Sequence, residues 1–597
     1  MHSIIIEHAR RAAKALRQSA RNSNTARMLQ RMTRHTSAAL SDGYLAPLSN
    51  DGFDHTGPLY RLRRTGMLIR ERSRICHALA SLRKTLLASR VGDLGLFLLL
   101  TGILLFILTL LIPDFAALRH RAAGGLFVLL ALPLLPSGKS LSQILRRSRA
   151  VSLLLFGLCA LPRDRLESHA PTAEHPLAVL ALSALSVAIA ALISPFRFLL
   201  AAFAIPLIAL LLSFPELLLT LIALAFPLLP LLPMPTVITS ALAAAAILSY
   251  FGKALCGRRE LTVDPCDLLV FLFLLALLLG AFIGFGDPMD GITVSLLCAL
   301  YFPSRHLLTS PRQRSHFRTA LLLGAFFCAS YGILQYFFSD TAALWLDTER
   351  FSDISRRVTG SFSNPNVLAV YLLLCHPIAL CGMLDPTQSR VRRAFFALTA
   401  VAIALCTVLT WTRGAWLGLL AQLALFLLFH SAATLTAGIL SLPFAVCALA
   451  YLPRNVLHRF MSIGTLAESS IRYRIHTWQG VERLLAAHPW GIGVGEKAFC
   501  AVYPRYALSG IESVMHAHSI YLQIALETGV IGLILFLSLV VTALLRGADR
   551  RAHFGAGLSL IGVLCMGCFD HLWYFRPLAA LFFIMIAMCM RDGQTDG

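Results

Sequence analysis

Residues 268–285 read LLVFLFLLALLLGAFIGF, eighteen consecutive positions without a charged side chain. An α-helix rises 1.5 Å per residue, so a helix over this stretch would be about 27 Å long. That length is close to the apolar thickness of a lipid bilayer, about 30 Å. The stretch therefore predicts a membrane-spanning helix.

The rest of the chain repeats this pattern. Hydrophobic residues make up 57% of the 597 residues and charged residues only 14%, a composition typical of a polytopic helical membrane protein. We predict an all-α membrane protein, a multi-span helical bundle of about 14–16 spans with one long extracytoplasmic loop. The candidate spans lie at 94–113, 122–136, 177–194, 196–213, 216–232, 235–251, 268–285, 289–303, 319–338, 366–384, 394–411, 414–430, 432–452, 519–545, 554–571 and 577–590.

Positive charge is concentrated at the N-terminus. Residues 1–90 contain 17 Lys and Arg against 5 Asp and Glu, which gives +12 of the total net charge of +22. We interpret this arm, with a basic helix at 4–32 and a linker at 37–57, as a cytoplasmic tail beside anionic lipids and not as a nucleic-acid-binding segment. The run at 150–161 is too short to span, and leaving it at the interface keeps the basic loops on one side. Both termini are therefore predicted in the cytoplasm.

This topology divides the chain into four predicted parts. They are a basic arm (1–92), a transmembrane bundle (93–452), a large extracytoplasmic loop (453–517) and the C-terminal transmembrane helices (518–597). The loop is far longer than a connector requires, so it is either functional or disordered. Its aromatic content favours a folded subdomain at the membrane surface. Within it, the apolar spacing predicts an amphipathic helix over Ser469–Ala487.

Several arginines fall on the predicted extracytoplasmic side. Arg413 lies where two apolar runs meet, a position that is costly for a cation unless it faces a cavity or an anion. Arg472 and Arg474 lie on the amphipathic helix, and Trp478 shares a face with Arg474. A planar guanidinium suits phosphate oxygens, so these arginines form a candidate diphosphate-binding cluster, to which Arg576 adds another cation.

Histidine provides the candidate base. His518 precedes a long apolar run, with His516 beside it, and an imidazole can accept a proton from a hydroxyl near neutral pH. Asn364 and Asn366 open another span as a capped turn and are candidate substrate contacts on the same side.

Two other motifs resemble cofactor or metal sites but lack features that such sites need. The pair Cys565 and Cys568 lies inside an apolar run and lacks the second pair that a structural zinc site would need. The glycines of 491–495 lack the strand and helix that flank a nucleotide loop, and we interpret them as a tight turn. We predict no metal and no cofactor.

The histidine run also resembles a known family. His518-Ser519, followed after nine residues by Gly529-Val530-Ile531-Gly532, resembles the histidine motif of the O-antigen ligase and polymerase superfamily. One departure is Ser519, where asparagine is frequent in the family. Further stretches resemble the same family in its usual order across residues 330–580: Gln335-Tyr336, Gly360 to Asn366, Thr412 to Ala415, Arg474 to Trp478, and His488 to Gly495.

The resemblance implies a membrane-embedded glycosyltransferase of the bacterial inner membrane. Such an enzyme passes a glycan from a polyprenyl-diphosphate carrier to a hydroxyl of a glycan, lipid or protein acceptor on the extracytoplasmic face, without metal and with inversion. By the same resemblance, Arg413 and Arg474 would hold the diphosphate and His518 would act as the base. The partners so implied are the lipid-linked donor, the acceptor and membrane lipids, with no nucleic acid.

Two alternatives remain open at this level. A polysaccharide polymerase of the same superfamily would use the same residues. A transporter or flippase of lipid-linked glycan is less favoured, because transporters place ionisable residues near the bilayer midplane and these charges gather at one face.

Overall fold

The computed structural model is helical. It describes residues 58–115, 117–149, 176–257, 264–339, 356–450, 469–511, 513–548, 553–571 and 575–590, together with Ala170, Val456, Leu457 and Trp573. Apart from one isolated bridge between Arg90 and Ser140, the regular structure in these residues consists of helices. The all-α prediction is confirmed. The predicted helix at 4–32, the linker at 37–57 and the short run at 150–161 lie outside the described residues.

The helices fall into two compact units, one of which contains residues 60–217 and 252–259. Its core includes Leu105, Phe127 and Leu199. A Cβ on Gly102 would lie 2.9 Å from the carbonyl oxygen of Gly124, so the two helices that carry these glycines touch backbone to backbone. The helices of this unit are α1 (Pro58–Arg72), α2 (Arg74–Ala88), α3 (Val91–Leu111), α4 (Leu118–Ala131), α5 (Leu141–Arg147), α6 (Pro176–Ile193) and α7 (Pro195–Ser213).

The other unit contains residues 218–251 and the described residues from 264 onward. Many of its helices begin with proline at the first position, preceded by a capping Asp, Ser or Asn, as sequence rules predict. Its helices are α8 (Pro215–Ala225), α9 (Pro235–Leu255), α10 (Pro265–Ile283), α11 (Pro288–Cys298), α12 (Tyr301–Leu307), α13 (Pro311–Phe338), α14 (Pro365–Leu384), α15 (Arg390–Leu409), α16 (Arg413–Phe429), α17 (Ala432–Ala450), α18 (Ser469–Ala487), α19 (Glu496–Val502), α20 (Ile520–Ala548), α21 (Phe554–Gly567) and α22 (Pro577–Cys589).

The predicted apolar runs coincide with these helices. In the described residues, nine helices are long and apolar enough to cross a membrane, and five shorter apolar helices accompany them. The run at 289–303 differs from its prediction, because it forms two helices, α11 and α12, instead of one span. The eleven residues of α11 reach only about 16 Å and cannot cross a bilayer alone.

The helix α20 carries a sharp kink. Gly529 has φ 72° and ψ −180°, which separates a short segment, 520–528, from the long apolar segment 530–548. A Cβ at Gly529 would lie within 2.8 Å of three backbone atoms of Trp490, so glycine is required both for the conformation and for the contact. The sequence analysis names Gly529 only as part of the histidine motif, and its role at the kink is an addition from the structure.

The long loop contains a folded subdomain. The amphipathic helix predicted over Ser469–Ala487 is confirmed as α18. Its Val481 and Leu484 are fully buried and pack with Phe499, Tyr503 and Val514 in a common core. The glycine turn at 491–495 lies against α10, where a Cβ on Gly284 would lie 2.3 Å from the Cα of Gly493. In the structure Gly491, Gly493 and Gly495 have positive φ in an irregular stretch, and the turn falls just before them, at 489–490.

Candidate functional site

A cavity of about 320 Å³ lies between α14, α16, α18 and the end of α21. Its walls are mostly apolar, with Trp411, Leu417, Ile475, Met566 and Phe569 among them. Three arginines line it, together with one carboxylate: Arg357, Arg413, Arg474 and Asp570. We call it the arginine cavity. The structure thus brings together Arg413 and Arg474, which the sequence had proposed as partners.

The contribution of α18 follows from helical spacing. Ile471, Arg474, Ile475 and Trp478 recur at intervals of three and four residues, so they share one face, and all four line the arginine cavity. The Nε atom of Arg474 is buried and has no hydrogen-bond partner among the described residues. Arg472 lies on another face, is exposed and does not line the cavity.

Arg357 is the arginine that sequence reasoning missed. Its Nε donates to the carbonyl oxygen of Thr410 at 3.0 Å, and its Nη2 lies 3.4 Å from Oδ1 of Asn366 and from Oγ1 of Thr412. These contacts aim a third guanidinium at the cavity that Arg413 lines. The available signal was its place three residues before the Gly360 to Asn366 motif.

Asp570 connects this cavity to the candidate base. Its Oδ2 accepts a hydrogen bond from Nδ2 of Asn366 at 2.8 Å, and its Oδ1 accepts one from the backbone N–H of His571 at 2.9 Å. The same Oδ1 lies 3.6 Å from Nδ1 of His518. That distance is longer than a usual hydrogen bond, but it is within the range of an ion pair once the imidazole is protonated. Asn366 is therefore a network residue, whereas Asn364 caps α14 by accepting from the backbone N–H of Asn366 at 2.8 Å.

The loop that carries His516 and His518, which we call the histidine loop, is held in place by two hydrogen bonds to the backbone of Ala517. Trp478 Nε1 donates to the Ala517 carbonyl at 2.9 Å, and the Ala517 N–H donates to Gln523 Oε1 at 2.9 Å. Gln523 in turn donates to Oε1 of Glu527 at 2.9 Å. His518 adopts φ 46°, a left-handed conformation uncommon outside glycine, which persists where surrounding contacts hold it. The loop that carries the candidate base is therefore fixed to α18 and α20.

Comparison with known families bears directly on this arrangement. Residues 398–537 match the family model described as O-antigen ligase. The chain is similar to O-antigen ligases over this segment. The match supports membership of the O-antigen ligase superfamily, which confirms the resemblance found in the sequence. No protein of the curated collection matches the chain.

The matched segment contains Arg413, Arg474 and His518. Arg357 and Asp570 lie outside it, on either side. In general, the family indicates a membrane glycosyltransferase that uses lipid-linked glycan donors and glycan or lipid acceptors. Together with nine apolar helices among the described residues, it indicates an integral membrane protein.

Two further histidines, His516 and His571, lie close to the candidate base His518. The ring centroids of His516 and His518 are 4.2 Å apart, and those of His516 and His571 are 5.6 Å apart. Burial, with positive charge nearby, lowers the pKa of His516 to about 4 and that of His571 to about 3. Burial alone would raise the pKa of Asp570, but His518, His516 and Arg474 outweigh it and hold that pKa below its usual range. The carboxylate is therefore ionised at neutral pH.

The same cluster has the composition of a metal site. One ligand atom from each of His516, His518 and Asp570 lies within 4.8 Å of the other two. Two imidazoles and a carboxylate suit a transition metal. The absence of a metal requirement stays a prediction.

The lowered pKa values of His516 and His571 predict that the protein is less stable in acid. His516 titrates near 6.5 when unfolded and about 4 when folded, so between these values the unfolded chain binds more protons. The free energy of unfolding should fall by on the order of 3 kcal/mol from this group as pH drops through that window. His571 acts in the same direction.

Thermal unfolding of the purified protein between pH 7 and pH 4.5 measures the effect. His516→Gln should flatten the dependence, while His476→Gln, a change on α18 outside the cluster, should leave it steep. An equal slope in wild type and His516→Gln would contradict the prediction.

Arg576 lies elsewhere. It forms an ion pair with Asp290, with Nη2 2.7 Å from Oδ1, and lines a second cavity of about 60 Å³. Carboxylates dominate the charged lining of this space, which we call the acidic cavity: Asp290, Glu496 and Glu527, with Arg576 as the cation and His516 and His571 on the wall. The sequence grouped Arg576 with the diphosphate-binding arginines, and the structure does not bring it to them.

Proposed function

We propose that this protein transfers a glycan from a polyprenyl-diphosphate carrier to an acceptor hydroxyl on the extracytoplasmic face of the bacterial inner membrane. One observation carries the proposal: three arginines line a single cavity together with Asp570, whose carboxylate lies 3.6 Å from His518. A leaving-group site and a base thus adjoin each other. The O-antigen ligase family match supports the same class of reaction.

The arginine cavity suits both halves of such a donor. Its apolar walls, including Trp411, Leu417 and Phe569, can hold the first isoprene units of a carrier lipid. Arg357, Arg413 and Arg474 supply three positive charges for the diphosphate. As the sugar–oxygen bond breaks, negative charge grows on the departing diphosphate, and fixed guanidinium groups stabilise that charge most in the transition state.

His518 is the proposed general base. The acceptor hydroxyl oxygen attacks the anomeric carbon, its proton moves to the imidazole, and the bond from that carbon to the diphosphate oxygen breaks with the electron pair leaving on the diphosphate. In-line displacement inverts the anomeric configuration. The ionised Asp570 stabilises the imidazolium that forms, as a carboxylate beside a catalytic histidine does in other enzymes.

Reconstitution of the full chain in proteoliposomes with a polyprenyl-diphosphate glycan and candidate acceptors tests the proposal. We expect transfer that persists in EDTA and falls at least about tenfold in Arg357→Ala, because one of three charges facing the diphosphate is lost. Arg357→Lys should recover only part of the rate, since lysine lacks the planar fork.

Arg472→Ala, on another face of α18, is the matched control and should remain active. Movement of the donor across the bilayer without transfer would contradict the proposal and support a flippase.

The side of the membrane is part of the proposal. The basic loops are assigned to the cytoplasm by the positive-inside rule, which places the histidine loop outside. A cysteine at the exposed position Ser509, in a chain without other cysteines, should react with an impermeant thiol reagent in intact cells. Reaction only after lysis would reverse the orientation.

A further inference from the structure

The acidic cavity lies directly behind the candidate base. Asp570 lines the arginine cavity, and the next residue, His571, lines the acidic cavity. His516 also lines the acidic cavity and stacks edge-on against His518 at 4.2 Å. His516, His518 and His571, which we call the histidine cluster, therefore lie between the arginine cavity and the acidic cavity.

One carboxylate oxygen in this space has no hydrogen bond from the described residues. Glu527 is 4% exposed, and its Oε1 accepts hydrogen bonds from Gln523 and from the backbone N–H of Gly495. Its other oxygen, Oε2, accepts none from the described part of the chain, although Glu527 lines the acidic cavity. This oxygen is open to the cavity, and a hydroxyl that enters the cavity can donate a hydrogen bond to it.

The geometry of the proposed reaction indicates that the ligand of this cavity is the acceptor. In-line displacement requires the attacking hydroxyl on the side of the anomeric carbon opposite the diphosphate. If the diphosphate occupies the arginine cavity, the acceptor must approach from the side of the histidine cluster. The acidic cavity is on that side, and it opens at the exposed residues Met515 and Glu496.

We infer that the acidic cavity is the acceptor subsite, taking the hydroxyl-bearing edge of a neutral or amine-bearing sugar. This inference rests on the proposed function. Carboxylate oxygens accept hydrogen bonds from hydroxyls and ammonium groups, whereas they repel phosphate and carboxylate groups. The cavity is small, about 60 Å³ against about 320 Å³ for the arginine cavity, so we expect it to take part of one sugar. Acceptors phosphorylated beside the reactive hydroxyl are therefore excluded.

Binding can be measured without turnover. We would use the full-length His518→Ala protein in detergent and saturation-transfer NMR with octyl glycosides of a neutral hexose, an amino hexose and a hexose 6-phosphate. Binding of the first two, with at least about tenfold weaker binding of the third, is expected. No binding of the first two, or equal binding of all three, would overturn the inference, whatever the outcome of transfer assays.

Two substitutions locate the site. Val294→Phe fills the acidic cavity, and Glu496→Trp obstructs its exposed rim without disturbing buried packing. Each should weaken glycoside binding at least about tenfold. Lys497→Trp is the matched control, because this neighbouring exposed residue does not line the cavity and should leave binding unchanged.

In the active protein, Glu496→Trp should raise the KM for acceptor while the KM for donor stays within about twofold. Equal rises in both constants would overturn the inference and leave the proposed function standing. Absence of transfer in the wild type would sink the proposed function and leave the binding result to be judged separately.

Discussion

Replacing His518 with alanine should lower the rate of glycan transfer by about 10²- to 10⁴-fold, the range that a positioned general base contributes. Donor affinity should change little, because His518 does not line the arginine cavity, which is the proposed diphosphate site. Single-turnover transfer and equilibrium donor binding, measured on the same reconstituted preparation, separate the two quantities.

His488→Ala is the matched control for this experiment. His488 belongs to the same subdomain, but its Nε2 lies 3.2 Å from the hydroxyl of Tyr506 and it lines neither described cavity. Its variant should transfer glycan at close to the wild-type rate. A His518→Ala protein that retains a tenth or more of the wild-type rate would rule out the general-base role.

Asp267→Ala should destabilise the fold by about 3–5 kcal/mol, the usual result of removing one partner from a buried ion pair. Asp267, at the start of α10, accepts a hydrogen bond from the hydroxyl of Tyr301 at 2.9 Å and forms an ion pair with Arg305. Tyr301 and Arg305 are buried on α12. Removing the carboxylate takes away the ion pair that Asp267 forms with this buried guanidinium.

Chemical unfolding in mild detergent measures the change. Lys497→Ala, which removes an exposed pair with Asp287, should have little or no effect. Replacing Asp267 and Arg305 together with leucine should recover much of the loss, since paired apolar groups often match a buried ion pair. A single Asp267→Ala variant as stable as wild type would show that Arg305 finds another partner.

The helices could be predicted because membrane spans are encoded locally. A run such as 268–285 specifies its own helix through length and composition, whatever its neighbours do. The break between α11 and α12 escaped prediction because hydropathy does not reveal where an apolar run stops being one helix.

Some residues of the candidate site could likewise be predicted from the sequence, and others could not. Arg413, Arg474 and His518 stand out because each is an ionisable residue at the edge of an apolar or amphipathic segment. Asp570 does not, since it ends an apolar run and lies 52 positions beyond His518. Its role depends on how α20 and α21 pack, which spacing along the chain does not encode. The pairing of Arg576 with Asp290 is hidden for the same reason.

Because of the kink at Gly529, the nine residues before it form a short helix that sets the distance between the kink and the histidine loop. The segment 520–528 is anchored at one end by the Gly529–Trp490 contact and carries the histidine loop at the other. Each residue added to or removed from a helix rotates one end against the other by about 100° and shifts it by about 1.5 Å. An inserted alanine would therefore swing His518 away from Asp570 with every functional side chain still present. The number of residues between His518 and Gly529 therefore sets the position of His518 in the proposed active site.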